Sequence, residues 1–522
     1  MSSFSRSQIV RKPVAVTRGG VVAAQHVQAA EIGARVLHEG GDAVDAAVAV
    51  SFAMGVVEPW MSGPAGGGAM MVWRADEAKP HAVFYGMRSP SGLDPRDFPL
   101  SGQGQASDLF PWKAVVDDRN VHGATAVAVP GLVDGIGIAH GRWGRMPWRE
   151  LLQPAVALAK RGLHVDWYAA LLIASATRIL AKDRDAAALF LEDGQWPTIA
   201  GWTALAEKRL DMSRMADTLA VLAERGHREL YDGEIGEALA GDVQAKGGSL
   251  AFADLNAYRA EIQTPLSISY RDAQVHVPPA LTAGPTLADA LAGMEALFEP
   301  GGRPEEGAFA AYADALSAAY ERRLSGMGDE NESGKAPAST THFSVIDRHG
   351  NMAAVTQTLL SSFGSRVVSP STGLLLNNGV MWFDPEPGKP NSLAPDKRCL
   401  MNVCPAIGEK GDRRFAVGAS GGRKILPAVT QLSSFLLDFD MSLEDAFHHP
   451  RIDMSGGATV IADETLAPSV IEALRAQREV VTTRRTVFPY AFACPAAVMR
   501  EGGLNMGATE IMSPWGDAVA EA

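Results

Sequence analysis

Two adjacent hydroxyls, Thr340 and Thr341, open the stretch Thr340-Thr341-His342-Phe343-Ser344-Val345, which continues through Asp347 to Gly350-Asn351. A threonine hydroxyl is a poor nucleophile until a base takes its proton, and one solution is for the residue's own α-amino group to be that base. A free α-amino group titrates near ~7.7–8.0, close to working pH, as general-base chemistry requires. For Thr340 to carry a free amine, the peptide bond after Ser339 must break. Residues 331–338, polar and containing Gly334 and Pro337, read as an exposed connector just ahead of that bond. The ordinary alternative is a strand in which Thr340 and Thr341 are merely common strand residues. The stretch by itself leaves both readings open.

A rival nucleophile lies further on. Gly418-Ala419-Ser420-Gly421-Gly422 fits G-x-S-x-G between an apparent strand and a helix, as a nucleophile elbow would. The acids and histidines available to complete a triad with Ser420 are Asp438, Asp440, His448 and His449, only a few tens of residues downstream. Too little βα structure separates them to build the sheet such a triad needs. Consecutive glycine N–H groups have a more economical use, as an oxyanion hole beside a reacting carbonyl. The scattered His26, His342 and His349 and the pair His448-His449 show no metal-ligand spacing, so no metal or other cofactor is expected.

Composition narrows the class. With 47% hydrophobic and 20% charged residues, the 522-residue chain is globular, with enough length for a large core. A formal net charge of −13 argues against a nucleic-acid or anionic-membrane surface and favours a small-molecule partner. Cys399, Cys404 and Cys494 have neither a framework nor a CxxC spacing. Residues 1–12 lack the apolar run of a secretory signal, and no apolar span has membrane length. A cytoplasmic protein is the expectation.

The elements that would position Thr340 follow from periodicity. Residues 29–53 read as two packed helices broken at Gly40-Gly41-Asp42, and the glycines of 62–68 as a tight turn into a strand over 69–73. Strands are expected at 82–85 and 127–131, a long helical tract at 148–222, and a strand pair at 266–270 and 273–277. Asp254-Leu255 reads as punctuation between helices. Helices over 286–297 and 308–324 lead to the connector. Beyond Thr340 strands dominate, at 341–346, 353–358, 374–376 and 414–418, before helices at 425–437 and 442–447.

Together these stretches resemble the γ-glutamyltransferases (glutathione hydrolases) of the N-terminal-nucleophile hydrolase superfamily, over nearly the whole chain. Val22 to His26, Gly40 to Ala47 and Val57-Glu58-Pro59 through Gly68 are similar to its amino-terminal signature. Val129-Pro130-Gly131, Leu152 to Ala155 and Tyr231-Asp232-Gly233 are similar to its middle. Thr340 to Asn351, Gly373 to Asn378 and Gly418 to Gly422 are similar to its catalytic half. The resemblance implies an α+β fold, a four-layer αββα sandwich. It also implies a proenzyme that cuts itself before Thr340 into a large fragment (1–339) and a small one (340–522), which stay together as a heterodimer, with a dimer of these heterodimers as the further assembly to look for. Thr340 would be nucleophile and, through its amine, base; Thr358 would hydrogen-bond it; Gly421 and Gly422 would form the oxyanion hole, which displaces the elbow reading of Ser420.

The recognition residues of that family are not kept. Where it places an arginine for the glutamyl α-carboxylate this chain has Gly86, with Arg88 two positions away as a candidate substitute. The paired serines correspond to Met401 and Asn402, and the residues that hold the α-amino group correspond to Leu360, Gly379 and Trp382. An unpaired buried ammonium or carboxylate costs several kcal/mol, so a glutamyl head should bind badly. The expectation is an amidohydrolase for a small-molecule amide with a more apolar acyl group. A γ-glutamyl enzyme with a rebuilt pocket, and an unprocessed binding protein, are the alternatives.

Overall fold

The structure, a computed structural model, describes residues 10–105, 112–199, 207–327, 339–486, 488 and 490–521. Two seven-stranded sheets are stacked. The first runs, in spatial order, Glu261–Gln263, His81–Tyr85, Gly67–Trp73, Met352–Leu360, Ser339–Ile346, Val21–Ala24 and Asp517–Ala520. The second runs Ala15–Thr17, Leu504–Thr509, Cys494–Glu501, Arg413–Ser420, Ala406–Lys410, Ala273–Val277 and Leu266–Tyr270. All the ladders within these two sheets are antiparallel.

Small residues let the two sheets meet. Ala23, Met71, Ile346 and Ala354 of the first pack on Ile407, Ala416, Ala496 and Val498 of the second in one buried cluster. Helices cover the outer faces, so the central strands of each sheet are buried on both sides. All nine residues of Met352–Leu360 are buried, and the strand accordingly reads as a near-continuous apolar and small-residue run rather than an alternation. On the outer face of the first sheet lie the helices Val27–His38 and Ala43–Val57, sharing a core with Phe343, Val345 and Val355. Against the second sheet lie Gly284–Leu297, Glu306–Gly326 and Ile425–Leu437. The order is helix, sheet, sheet, helix, the αββα sandwich that the resemblance implies.

The helix Ala43–Val57 fixes the position of Glu58, which caps its carboxyl end. Asp42 accepts from the N–H groups of Val44 and Asp45, and the Asp45 carboxylate accepts from the Asp42 N–H at 3.0 Å, a reciprocal cap at the amino end. Every residue of the helix is buried, as an all-round apolar helix must be.

Residues before and after position 339 interleave in both sheets. In the first, Ser339–Ile346 and Met352–Leu360 lie between Gly67–Trp73 and Val21–Ala24. Neither half closes a sheet alone, so the chain is one intertwined unit.

Some elements differ from the sequence reading. Residues 127–131 and 374–376 are not strands; they make only isolated bridges, Val129 with Arg88 and Leu375 with Val368. These apolar runs are loop walls buried under neighbouring segments, which periodicity alone does not separate from strands. Asp254 and Leu255 lie inside a short helix, Phe252–Ala257. The helical tract 148–222 divides into Trp148–Arg161, Trp167–Leu180, Arg184–Phe190 and Ser213–Arg225. Residues 331–338 lie outside the described residues.

Candidate active site

Alternation along Ser339–Ile346 sends Thr341, Phe343 and Val345 toward the helices and Thr340, His342, Ser344 and Ile346 between the sheets. Thr340 is fully buried there, and its hydroxyl donates to Thr358 Oγ1 at 3.4 Å. The pairing is irregular at this point. Ser339 faces Leu360 and Thr341 faces Gln357, so Thr340 stands opposite two residues, Thr358 and Leu359. Such a bulge re-aims side chains locally. Leu360 completes it with φ +87°, a conformation a leucine adopts only under constraint. Its N–H donates to Thr358 Oγ1 at 2.8 Å, so the bulge also fixes the hydroxyl that faces Thr340.

Below this pair His342 bonds Thr356 Oγ1 at 2.8 Å and Ser344 Oγ at 2.9 Å. Burial pushes its imidazole down to about 3, so it is a neutral strut. Gly418 of the facing sheet packs directly on that ring; a Cβ built there would lie 2.3 Å from His342 Cε1. Two residues on, the strand ends at Ser420, and the chain turns through Gly421 and Gly422, at φ +128° and +67°. Both conformations favour glycine. The turn opens the helix Ile425–Leu437.

On the helix side of the strand Ser339–Ile346 is a group that sequence reasoning quoted but did not assign. Thr341 Oγ1 lies 3.1 Å from Glu58 Oε2 and 3.3 Å from Gln25 Oε1, and Gln25 Nε2 donates to Cys494 O at 2.6 Å. One hydroxyl proton cannot serve two acceptors. All three contacts are satisfied when Glu58 is protonated and donates to Thr341, which donates to Gln25. Burial without a cationic partner pushes the Glu58 carboxyl up to about 8, in agreement with that pattern.

The residues at the family's recognition positions share one apolar cluster, in which Leu360, Trp382 and Met401 pack with Phe84, Met87 and Val380. Gly379 is fixed through its N–H to Asn377 Oδ1 at 2.8 Å, and Asn377 also bonds Ala65 O and Ala128 O. A Cβ built on Gly86 would lie 2.6 Å from Phe84 Cζ and 3.0 Å from Met401 Cε, so the space beside Gly86 is already filled. Arg88 turns elsewhere, donating to Asp396 Oδ1 at 2.7 Å and Asp396 O at 3.1 Å. Asn402 Oδ1 accepts from Arg323 at 3.1 Å. Arg323 is a second residue that sequence reasoning passed over, since an arginine inside a helix carries no motif.

The elbow reading of Ser420 finds no triad. Asp438 accepts from Tyr270 and Arg271 on the outer side of the second sheet, and His449 packs against Phe309 and Phe435. Among the described residues no group of three or more His, Cys, Asp or Glu side chains is placed to hold a metal ion. Among them, too, no helix is long and apolar enough to cross a membrane.

Comparison with known proteins places this geometry in context. The sequence profile described as Gamma-glutamyltranspeptidase matches residues 29–338 and 330–510. The Acylase ACY 1 proenzyme of a Pseudomonas species is 34% identical over 505 residues, spanning 90% of this chain and 88% of that protein. The glutathione hydrolase proenzyme of Bacillus subtilis is 30% identical over 500 residues, spanning 84% of this chain and 81% of that protein. A solved structure of cephalosporin acylase from Bacillus halodurans superposes with a TM-score of 0.86, covering 98% of each chain at 24% identity, a likeness of fold.

Proposed function

This chain belongs to the γ-glutamyltranspeptidase family of N-terminal-nucleophile hydrolases and is an amide-bond hydrolase; from that premise we propose that it is a self-processed acylase for a small amide with an apolar, non-glutamyl acyl group. The observation that carries the proposal is the pairing of Thr340 and Thr358 with an apolar cluster of Leu360, Trp382 and Met401, closed beside Gly86 by Phe84. That wall offers neither a cation for a carboxylate nor an anion for an ammonium. Arg88, held by Asp396, is an unsuitable replacement for the family's arginine.

In this reading the bond between Ser339 and Thr340 is cut, giving fragments 1–339 and 340–522 that the interleaved sheets hold together. That the similar acylase and glutathione hydrolase are proenzymes supports the cut. The Thr340 amine takes the hydroxyl proton as Oγ1 attacks the amide carbonyl, and an Oγ1–carbon bond forms. The N–H groups of Gly421 and Gly422 stabilise the oxyanion. The carbon–nitrogen bond breaks, the leaving amine takes the proton from the Thr340 ammonium, and water then releases the acyl group as a carboxylic acid. Thr358 holds the nucleophile in line.

A panel of p-nitroanilides tests this, with aliphatic and aromatic acyl groups beside a γ-glutamyl group. The apolar anilides should be turned over with kcat/KM at least about 100-fold above the γ-glutamyl one, the scale set by one unpaired charge in a closed pocket. Equal turnover of the γ-glutamyl anilide would replace the proposal with a γ-glutamyl enzyme. No turnover of any anilide by processed protein would favour a binding role.

A further inference from the structure

Two side chains on one face of the helix Glu306–Gly326 reach across to the catalytic half. The buried Tyr320 donates its hydroxyl to the carbonyl of Arg423, the residue that follows Gly421 and Gly422. Three residues on, Arg323 is 1% exposed. Its Nη2 donates to Met401 O at 2.8 Å and Asn402 Oδ1 at 3.1 Å. Its Nη1 donates to Thr282 O at 2.9 Å and Thr286 Oγ1 at 3.1 Å, with Met327 Sδ at 3.8 Å, and Nε has no hydrogen-bond partner among the described residues. Every oxygen it meets is neutral.

A cation buried among neutral oxygens is a costly way to fill space, since an apolar side chain of similar volume often serves stability as well or better. The guanidinium offers what an apolar group cannot, a rigid planar fork spanning a backbone carbonyl and the neighbouring amide. Here the fork spans Met401 and Asn402 and ties them to the strand-to-helix corner at Thr282. Burial draws the group down only to about 10, so it stays a cation at neutral pH.

We propose that Tyr320 and Arg323 are positioning residues by which the last helix of the large fragment sets the two working walls of the site. Tyr320 sets the Gly421–Gly422 turn for the oxyanion, and Arg323 sets Met401–Asn402 for the acyl group. The proposal rests on the reading that these segments form the oxyanion hole and the acyl pocket. It divides labour between the two residues, which a general packing role would not do.

The test is steady-state kinetics of Tyr320→Phe and Arg323→Lys, as processed protein, on the acyl anilide that the parent turns over best. A displaced oxyanion donor should lower kcat about 10-fold in Tyr320→Phe with KM within about twofold, less than the loss from deleting a donor outright. Lysine keeps the charge but not the fork, so Arg323→Lys should raise KM about 10-fold with kcat within about threefold, and should flatten the preference among acyl groups. Both variants matching the parent would overturn the proposal, as would kcat and KM worsening together in both in step with a lower melting temperature. Hydrogen exchange over residues 418–426 gives a reading that needs no activity. It should quicken in Tyr320→Phe relative to the parent, processed or not; unchanged exchange would overturn the Tyr320 role even if the parent cleaves no amide and the acylase reading fails by itself.

Discussion

Thr340 Oγ1 lies 3.4 Å from Thr358 Oγ1 across neighbouring strands, and the same Thr358 oxygen accepts the N–H of Leu360 at 2.8 Å. One hydroxyl thus meets Thr340 and holds the bulge that presents it.

Thr358→Ala should lower kcat about 100-fold, the scale of a nucleophile no longer held in line. It should also destabilise the protein by about 1–3 kcal/mol, because a buried N–H loses its acceptor. Thr358→Ser keeps the hydroxyl and should recover most of both. Anilide kinetics and a thermal melt of the three proteins read the two effects separately.

Gly421→Ala places a Cβ 3.0 Å from Ala493 Cα at a backbone φ of +128°. The strain should cost about 1–2 kcal/mol, and in the proposed mechanism the turn carrying the oxyanion donors should shift, with kcat falling about 10-fold or more. KM for the same anilide should change far less.

Glu58 gives a pH signature. Its carboxyl is raised from an ordinary 4.5 to about 8 by burial. A carboxyl raised on folding leaves stability intact below its unfolded value and withdraws it as pH climbs toward its folded one, because only the unfolded chain ionises freely. The parent should therefore lose melting temperature between pH 5 and 8 relative to Glu58→Gln, a neutral isostere, and the two curves should run parallel above about pH 9. Differential scanning calorimetry across that range decides it; a gap that closes with rising pH would mean that Glu58 is buried as the anion.

Gly86→Arg tests whether the glutamyl grip can be restored by its cation alone. Phe84 and Met401 occupy the space, so the substitution should destabilise by about 1–3 kcal/mol through overpacking. It should not raise γ-glutamyl turnover. Combining it with Phe84→Ala and Met401→Ser should restore stability and give measurable γ-glutamyl anilide hydrolysis.

Much of the site was legible in the sequence because its parts are local signals. Thr340-Thr341, Thr358 and Gly421-Gly422 each sit where a strand starts or ends, and the sheets bring Thr340 beside Thr358 and Gly418 against His342. What stayed hidden was tertiary. Glu58 follows a helix whose start after Gly40-Gly41-Asp42 was legible, but its burial beside Thr341 depends on a strand some 280 residues away. Tyr320 and Arg323 lie on a helix that carries no motif, and only the packing of that helix on Met401 and Arg423 gives them a role. The strand Cys494–Glu501 carries small residues and methionine in place of a clear alternation, since six of its eight residues are buried. The apolar runs at 127–131 and 374–376 failed as strands for the converse reason: buried loop and strand look alike over so few residues.

The central claim is that Thr340 becomes an amino terminus and acts as the nucleophile. Intact-mass spectrometry of the purified protein and of Thr340→Ala tests it most directly. The parent should give two polypeptides whose masses correspond to a cut between Ser339 and Thr340, and Thr340→Ala a single uncut chain. A parent that stays whole, or a Thr340→Ala variant cut at the same bond, would contradict the account.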